Sequence, residues 1–119
     1  MKRILIVDDD TSVLRFVSKA LADYESVVAH DGSEALLLAA GMPSLDLLIT
    51  DYLMPSIQGD ELIGRLRAVR PDLKVLIMTG HGDIFDAENL PWWANEAHLS
   101  KPFGIEALRN TVQQLLGPA

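Results

Sequence analysis

The chain has 119 residues, ten Lys and Arg against seventeen Asp and Glu, and no cysteine. A formal net charge of −7 removes the basic face that sequence-independent nucleic-acid binding needs, and the missing thiols exclude disulfides, cysteine nucleophiles and thiolate metal sites. The length suits a single domain over 1–119 with a real core, and no apolar run approaches the roughly 18 residues of a membrane span.

The first apolar run, Ile4-Leu5-Ile6-Val7, stops at Asp8. It is too short for the signal-peptide core of about 7–15 residues, so the chain is expected in the cytoplasm. Its β-branched content fits a strand buried on both faces, as do Leu47-Leu48-Ile49-Thr50 and Val75-Leu76-Ile77-Met78-Thr79. Ser26-Val27-Val28-Ala29 and Ala97-His98-Leu99-Ser100 are shorter and more polar, as edge strands are. Between them run helical patterns. Val13, Val17, Ala20 and Leu21 share a face behind the capping candidates Asp10 and Thr11. Ser33 is placed to cap a helix that runs through Ala40 and stops at Gly41. Leu62, Leu66 and Val69 mark a third helix, ended by Pro71. A fourth is expected from about Asp83, short or irregular because Pro91 cannot continue it. Ile105, Leu108, Val112 and Leu115 mark the last.

Five strand–helix alternations imply a parallel, doubly wound sheet with helices on both faces. Three strong central strands and two weak edges select a flavodoxin-like (βα)5 architecture of order 2-1-3-4-5. Its switch point lies between the carboxyl ends of the first and third strands. Asp8, Asp9 and Asp10 follow the first strand and Asp51 follows the third. Carboxylates gathered there repel, and either a raised pKa or a cation must resolve the repulsion. An oxygen-only ligand set suits Mg²⁺. Asp10 alone reads as a helix cap. The fourth strand ends in Thr79-Gly80 and the fifth in Lys101-Pro102, which adds a hydroxyl and a cation at the same end of the sheet.

Asp8-Asp9, Asp51 within Ile49-Thr50-Asp51-Tyr52-Leu53-Met54-Pro55, Gly59, Thr79-Gly80 and Lys101-Pro102-Phe103 together resemble the receiver domain of bacterial response regulators, over essentially the whole chain. The resemblance implies that Asp51 accepts a phosphoryl group from a phosphohistidine on a sensor histidine kinase or phosphotransfer protein. It implies Mg²⁺ held by Asp9 and Asp51, by Asp8 through water and by the Leu53 backbone carbonyl. Thr79 and Lys101 would contact the phosphoryl group, and the Lys101–Pro102 bond would be cis. Such a domain catalyses only its own phosphorylation and dephosphorylation and is no turnover enzyme. Slow loss of phosphate is expected, because Leu53 cannot orient a water and a neutral His81 is no strong base.

Two features depart from the family pattern. His98 stands where the family carries its switch aromatic, and a half-exposed edge histidine and a switch role are both open readings. A protonatable switch would respond to pH. The pair Trp92-Trp93 follows Pro91. One ring is expected in the core and one on the surface beside the fifth strand, facing an output domain, a partner or a second copy. The histidines His30, His81 and His98 show no metal-ligand spacing. Gly80-His81-Gly82 is no dinucleotide fingerprint, since Phe85 stands where a third glycine belongs. Asp8-Asp9-Asp10-Thr11 also resembles the first motif of haloacid dehalogenase-like phosphohydrolases, but that reading leaves Asp51 without a role. A degenerate receiver that only binds partners is disfavoured by the intact acid set, Thr79 and Lys101.

Overall fold

The computed structural model describes residues 1–51, 57, 59–80 and 96–117. Five parallel strands form one sheet: β1 (Arg3–Val7), β2 (Glu25–Ala29), β3 (Leu47–Asp51), β4 (Lys74–Thr79) and β5 (Ala97–Ser100), in the order β2-β1-β3-β4-β5. Among the described residues lie four helices, α1 (Thr11–Ala20), α2 (Gly32–Ala40), α3 (Gly59–Val69) and α4 (Ile105–Leu116). The expected order and all five strands are present, with β1, β2 and β4 one residue longer at their starts and β3 one residue longer at its end. The helix expected from Asp83 falls outside the described residues.

The central strands are apolar on both faces, and the structure uses both. Leu5, Val7, Leu48, Val75 and Ile77 face α2 and α3 in one core cluster. Ile4, Ile6, Ile49, Leu76 and Met78 face α1 and α4 in the other. Alternate residues of one strand point to opposite faces, so each strand divides its side chains between two cores. None of these ten residues retains more than 3% of its exposure.

The amino ends of the strands are tied together at Asp46. Its Oδ2 accepts from the Arg3 amide at 2.9 Å, and its own amide donates to the Arg3 carbonyl at 2.9 Å. Its carbonyl accepts from the Lys74 amide. One residue thus binds the starts of β1 and β4 to that of β3. On the other side of the sheet Arg109 of α4 holds Asp23 with two bonds of 2.9 Å and the Ala20 carbonyl at 2.7 Å, which fastens α4 to the end of α1.

Local details correct parts of the sequence reading. Asp10 caps α1, accepting from the Ser12 amide, and Thr11 is the first helical residue rather than a cap. Asp31, not Ser33, caps α2: its carboxylate accepts from the Glu34 amide at 2.8 Å. Both residue types can cap, and the carboxylate adds a favourable charge at the positive helix end. Starting the helix at Asp31 puts Gly32 on its first turn, against Ile57. Val69 and Ile105, read as core positions, are exposed at 79% and 54%. Each sits at a helix terminus, where the apolar stripe has already turned past the sheet.

Gly32 is held by close approach. A Cβ built there would lie 2.8 Å from Ile57 Cβ and 2.9 Å from the Ile57 carbonyl oxygen, neither of which is the free end of a flexible chain. Gly32→Ala is therefore expected to destabilise the fold by about 1–3 kcal/mol, the usual cost of overpacking. Urea denaturation checks this, and an unchanged midpoint would show that the loop shifts freely.

Candidate functional site

The site lies where β1 and β3, neighbours in the sheet, release their chains. The β1–β3 register pairs Val7 with Thr50, which sets the following residues, Asp8 and Asp51, side by side. Asp8 is fully buried, Asp51 partly buried and Asp9 exposed. Asp8, Asp9 and Asp51 can each present a carboxylate oxygen within 4.8 Å of the others. Asp10, the fourth acid of the sequence reading, is used as the α1 cap.

Burying a carboxylate requires partners. One Asp8 oxygen accepts from the Asp10 amide at 2.9 Å and the other from Lys101 Nζ at 2.8 Å. The same ammonium lies 3.2 Å from Asp51 Oδ2. Lys101 comes from just beyond β5, across the sheet, through a cis Lys101–Pro102 bond. Burial raises the Asp8 carboxyl above its ordinary pKa; the bond from Lys101 and the Asp10 amide pull it back only in part. Burial also disfavours the Lys101 ammonium, but its bond to Asp8 and the charges of Asp51 and Asp8 outweigh that and raise its pKa.

Thr79 ends β4, almost fully buried, beside the same cluster. Its Oγ1 lies 3.3 Å from the Leu99 carbonyl, to which it donates, and 3.3 Å from Ser100 Oγ. Its carbonyl accepts from the Lys101 amide at 2.8 Å, so the ends of β4 and β5 carry these candidate site residues as a unit. Ser100 went unremarked in the sequence. Its place next to Lys101 and its register opposite Thr79 were the signals available. His98 lies opposite Ile77 on the edge strand, partly buried, with Nδ1 3.1 Å from the Glu96 carbonyl. Leu53, His81, Trp92 and Trp93 lie outside the described residues.

The acid set fits Mg²⁺ by its chemistry. Two ligands of one Mg²⁺ stand at most about 4.2 Å apart, twice its ~2.1 Å bond length. Oxygens within 4.8 Å of one another therefore reach one ion after a small side-chain rotation. All the donors are oxygens, and an exposed side at Asp9 leaves room for the waters that Mg²⁺ retains.

An acidic cluster at the switch point of a 2-1-3-4-5 sheet, with a hydroxyl and a lysine from the neighbouring strand ends, marks a small α/β domain with its candidate site at the strand ends. Comparisons with known proteins agree. Residues 4–113 match the family model of the response regulator receiver domain. The chain is 35% identical over 118 residues to the response regulator receiver protein CpdR of Brucella abortus, covering 98% of each. It is 36% identical to the response regulator MprA of Mycobacterium avium, covering 96% of this chain but 50% of that protein, so it spans about half the length of that relative. A crystal structure of a putative response regulator from Chloroflexus aurantiacus superimposes with a TM-score of 0.83 at 34% identity, covering 98% of each chain. The chain belongs to the response regulator receiver domain family, the receivers of two-component signalling.

The site predicts its own instability without a cation. Asp8 holds its proton more tightly in the fold than in the unfolded chain, so its own contribution to the stability of metal-free protein should grow as pH falls from neutral toward 3.8, the ordinary carboxyl value, while the lowered carboxyls of Asp23 and Glu25 act in the opposite direction at the acid end. Asp8→Asn should raise the metal-free melting temperature by a few degrees and flatten this pH dependence. Thermal scans against pH in the presence of a chelator test both; a variant that melts lower would mean that the Lys101 bond outweighs the burial.

Proposed function

We propose that this receiver accepts a phosphoryl group on Asp51 from a phosphohistidine, on a sensor histidine kinase or a phosphotransfer protein, in a reaction that requires Mg²⁺. The supporting observation is the convergence of Asp8, Asp9 and Asp51 with Lys101 Nζ bridging two of them. An Asp51 carboxylate oxygen attacks phosphorus, the new O–P bond forms as the N–P bond breaks, and the imidazole leaves with the electron pair. Mg²⁺ held by Asp9 and Asp51, by Asp8 through water and by the Leu53 carbonyl would neutralise charge on the transferring group. Lys101 is positioned to exchange Asp51 for a phosphoryl oxygen, which keeps its charge compensated throughout. Thr79 can turn its hydroxyl from the Leu99 carbonyl to another phosphoryl oxygen. Such a turn would break the link to Ser100 and carry the state of the site to β5, where His98 is the candidate switch residue. The Trp92-Trp93 segment is the candidate surface for an output domain, a partner or a second copy. Nothing in this scheme regenerates a free enzyme on a second substrate, so the domain acts on itself and is a signalling element rather than a turnover enzyme. Residues 1–119 would form this one domain, acting in the cytoplasm.

Intact-mass measurement with acetyl phosphate tests the assignment. Wild-type protein should gain one phosphoryl group with Mg²⁺ and none with a chelator, and Asp51→Asn should gain none. Phosphorylation of Asp51→Asn at the wild-type level would overturn it. The sequence also sets the lifetime of the phosphorylated state. Leu53 and His81, two residues beyond Asp51 and Thr79, offer little to orient an attacking water, so Leu53→Asn should speed the loss of phosphate several-fold. A decay rate that is unchanged or slower would remove that account.

A further inference from the structure

Thr79 is 1% exposed, and its hydroxyl has one proton to give. Two oxygens lie within reach of it, the Leu99 carbonyl and Ser100 Oγ, each at 3.3 Å. A carbonyl only accepts, so the Thr79 proton goes to Leu99. The Ser100 hydroxyl, which can both donate and accept, then gives its own proton to Thr79 Oγ1. Both bonds form at once, and together they hold the Thr79 side chain in one orientation, turned toward β5.

The two bonds differ in origin. The Leu99 carbonyl belongs to the backbone and would stand there whatever the side chains. The Ser100 hydroxyl is particular to this sequence. Register sets Ser100 opposite Thr79 at the end of β5. The Lys101 amide, bonded to the Thr79 carbonyl at 2.8 Å, fixes the spacing of the two strand ends. Ser100 is exposed, unlike Thr79. When Thr79 turns away, water takes its place on the Ser100 hydroxyl. The cost of the turn therefore falls on Thr79, which has to find a new partner for a nearly buried oxygen.

We propose that Ser100 is a positioning residue: its hydroxyl holds Thr79 away from the phosphoryl group and so sets how readily this receiver enters its phosphorylated form. The proposal rests on the reading that Thr79 turns its hydroxyl to a phosphoryl oxygen. For that turn Thr79 gives up both bonds. Loss of the Leu99 bond is common to any side chain at position 100, and loss of the Ser100 bond is added by this chain. One net hydrogen bond shifts a two-state equilibrium by about two- to tenfold. Apparent affinity falls in proportion to the fraction of protein already in the competent orientation. A phosphoryl group or its mimic is therefore held more weakly, by that factor, than it would be without the Ser100 hydroxyl. Ser100 touches neither the phosphoryl group nor the ion and acts through Thr79 alone.

NMR of the metal-free protein tests the restraint, and beryllofluoride, a phosphoryl mimic, tests its consequence. Couplings from the Thr79 methyl carbon to its backbone nitrogen and carbonyl carbon report the side-chain rotamer. They should show one rotamer in the wild type, averaging with a second in Ser100→Ala, and one again in Ser100→Thr, which keeps the hydroxyl. Position 100 is exposed, so these changes leave both cores intact. With Mg²⁺ present, Ser100→Ala should bind beryllofluoride about two to ten times more tightly than the wild type. In a Thr79→Val background the same substitution should change nothing. Unchanged couplings in Ser100→Ala would overturn the proposal. So would an affinity that is unchanged or lower, or an equal gain in the Thr79→Val background. Wild-type protein that binds no beryllofluoride, while its couplings respond to Ser100 as stated, would overturn the phosphoacceptor reading and the regulation built on it.

Discussion

The ammonium of Lys101 is the group on which the rest of the site depends. It bonds both Asp8, which has no contact with solvent, and Asp51, at 2.8 and 3.2 Å. Two carboxylates and one cation do not balance, and burial sharpens the deficit. The cluster is left in want of positive charge at the point where a divalent ion fits. An anionic group brought there meets a lysine already in position. The same excess of negative charge suits the site to a divalent cation.

Around that cluster the sheet behaves as a rigid ruler. Its central strands are wedged between two apolar layers and cannot tilt without opening one of them. The candidate site lies where the strands end, because there polar groups can leave the apolar layers. β4 and β5 are joined at these ends through Thr79, Leu99, Ser100 and Lys101. At its start β5 is held by Arg67, which grips Glu96 with bonds of 2.6 and 3.1 Å and also donates to the Leu73 carbonyl. The edge strand is thus fastened at both ends yet is the least buried of the five.

Much of this was legible in the sequence. Continuous β-branched runs announce two-sided strands, and their relative strength ordered the sheet. The acids, Thr79 and Lys101 followed as strand-terminal residues. Other features were not legible, for specific reasons. Asp31 and Ser33 are both good caps two residues apart, and the close contact of Gly32 with Ile57, which ties the start of α2 to a distant loop, is visible only in three dimensions. Val69 and Ile105 satisfy a helical period but lie where their helices overrun the sheet. Ser100 is a common residue whose significance comes from register alone. Arg67 and Glu96 are 29 positions apart and carry no local pattern that would pair them.

Asp46 has a consequence that reaches the far end of the molecule. A strand apolar on both faces has little in its hydrophobic pattern to forbid slippage, because a slip of one residue merely exchanges one apolar set for another. The side-chain and backbone bonds of Asp46 to Arg3 and Lys74 supply the missing datum. A slip of one position would carry Asp51 about 3.3 Å along the strand axis, beyond the reach of the ammonium that now serves it and Asp8 together. Alignment at the reactive edge is therefore calibrated from the opposite edge, and errors introduced at Asp46 would surface as misplaced chemistry rather than as a misfolded chain.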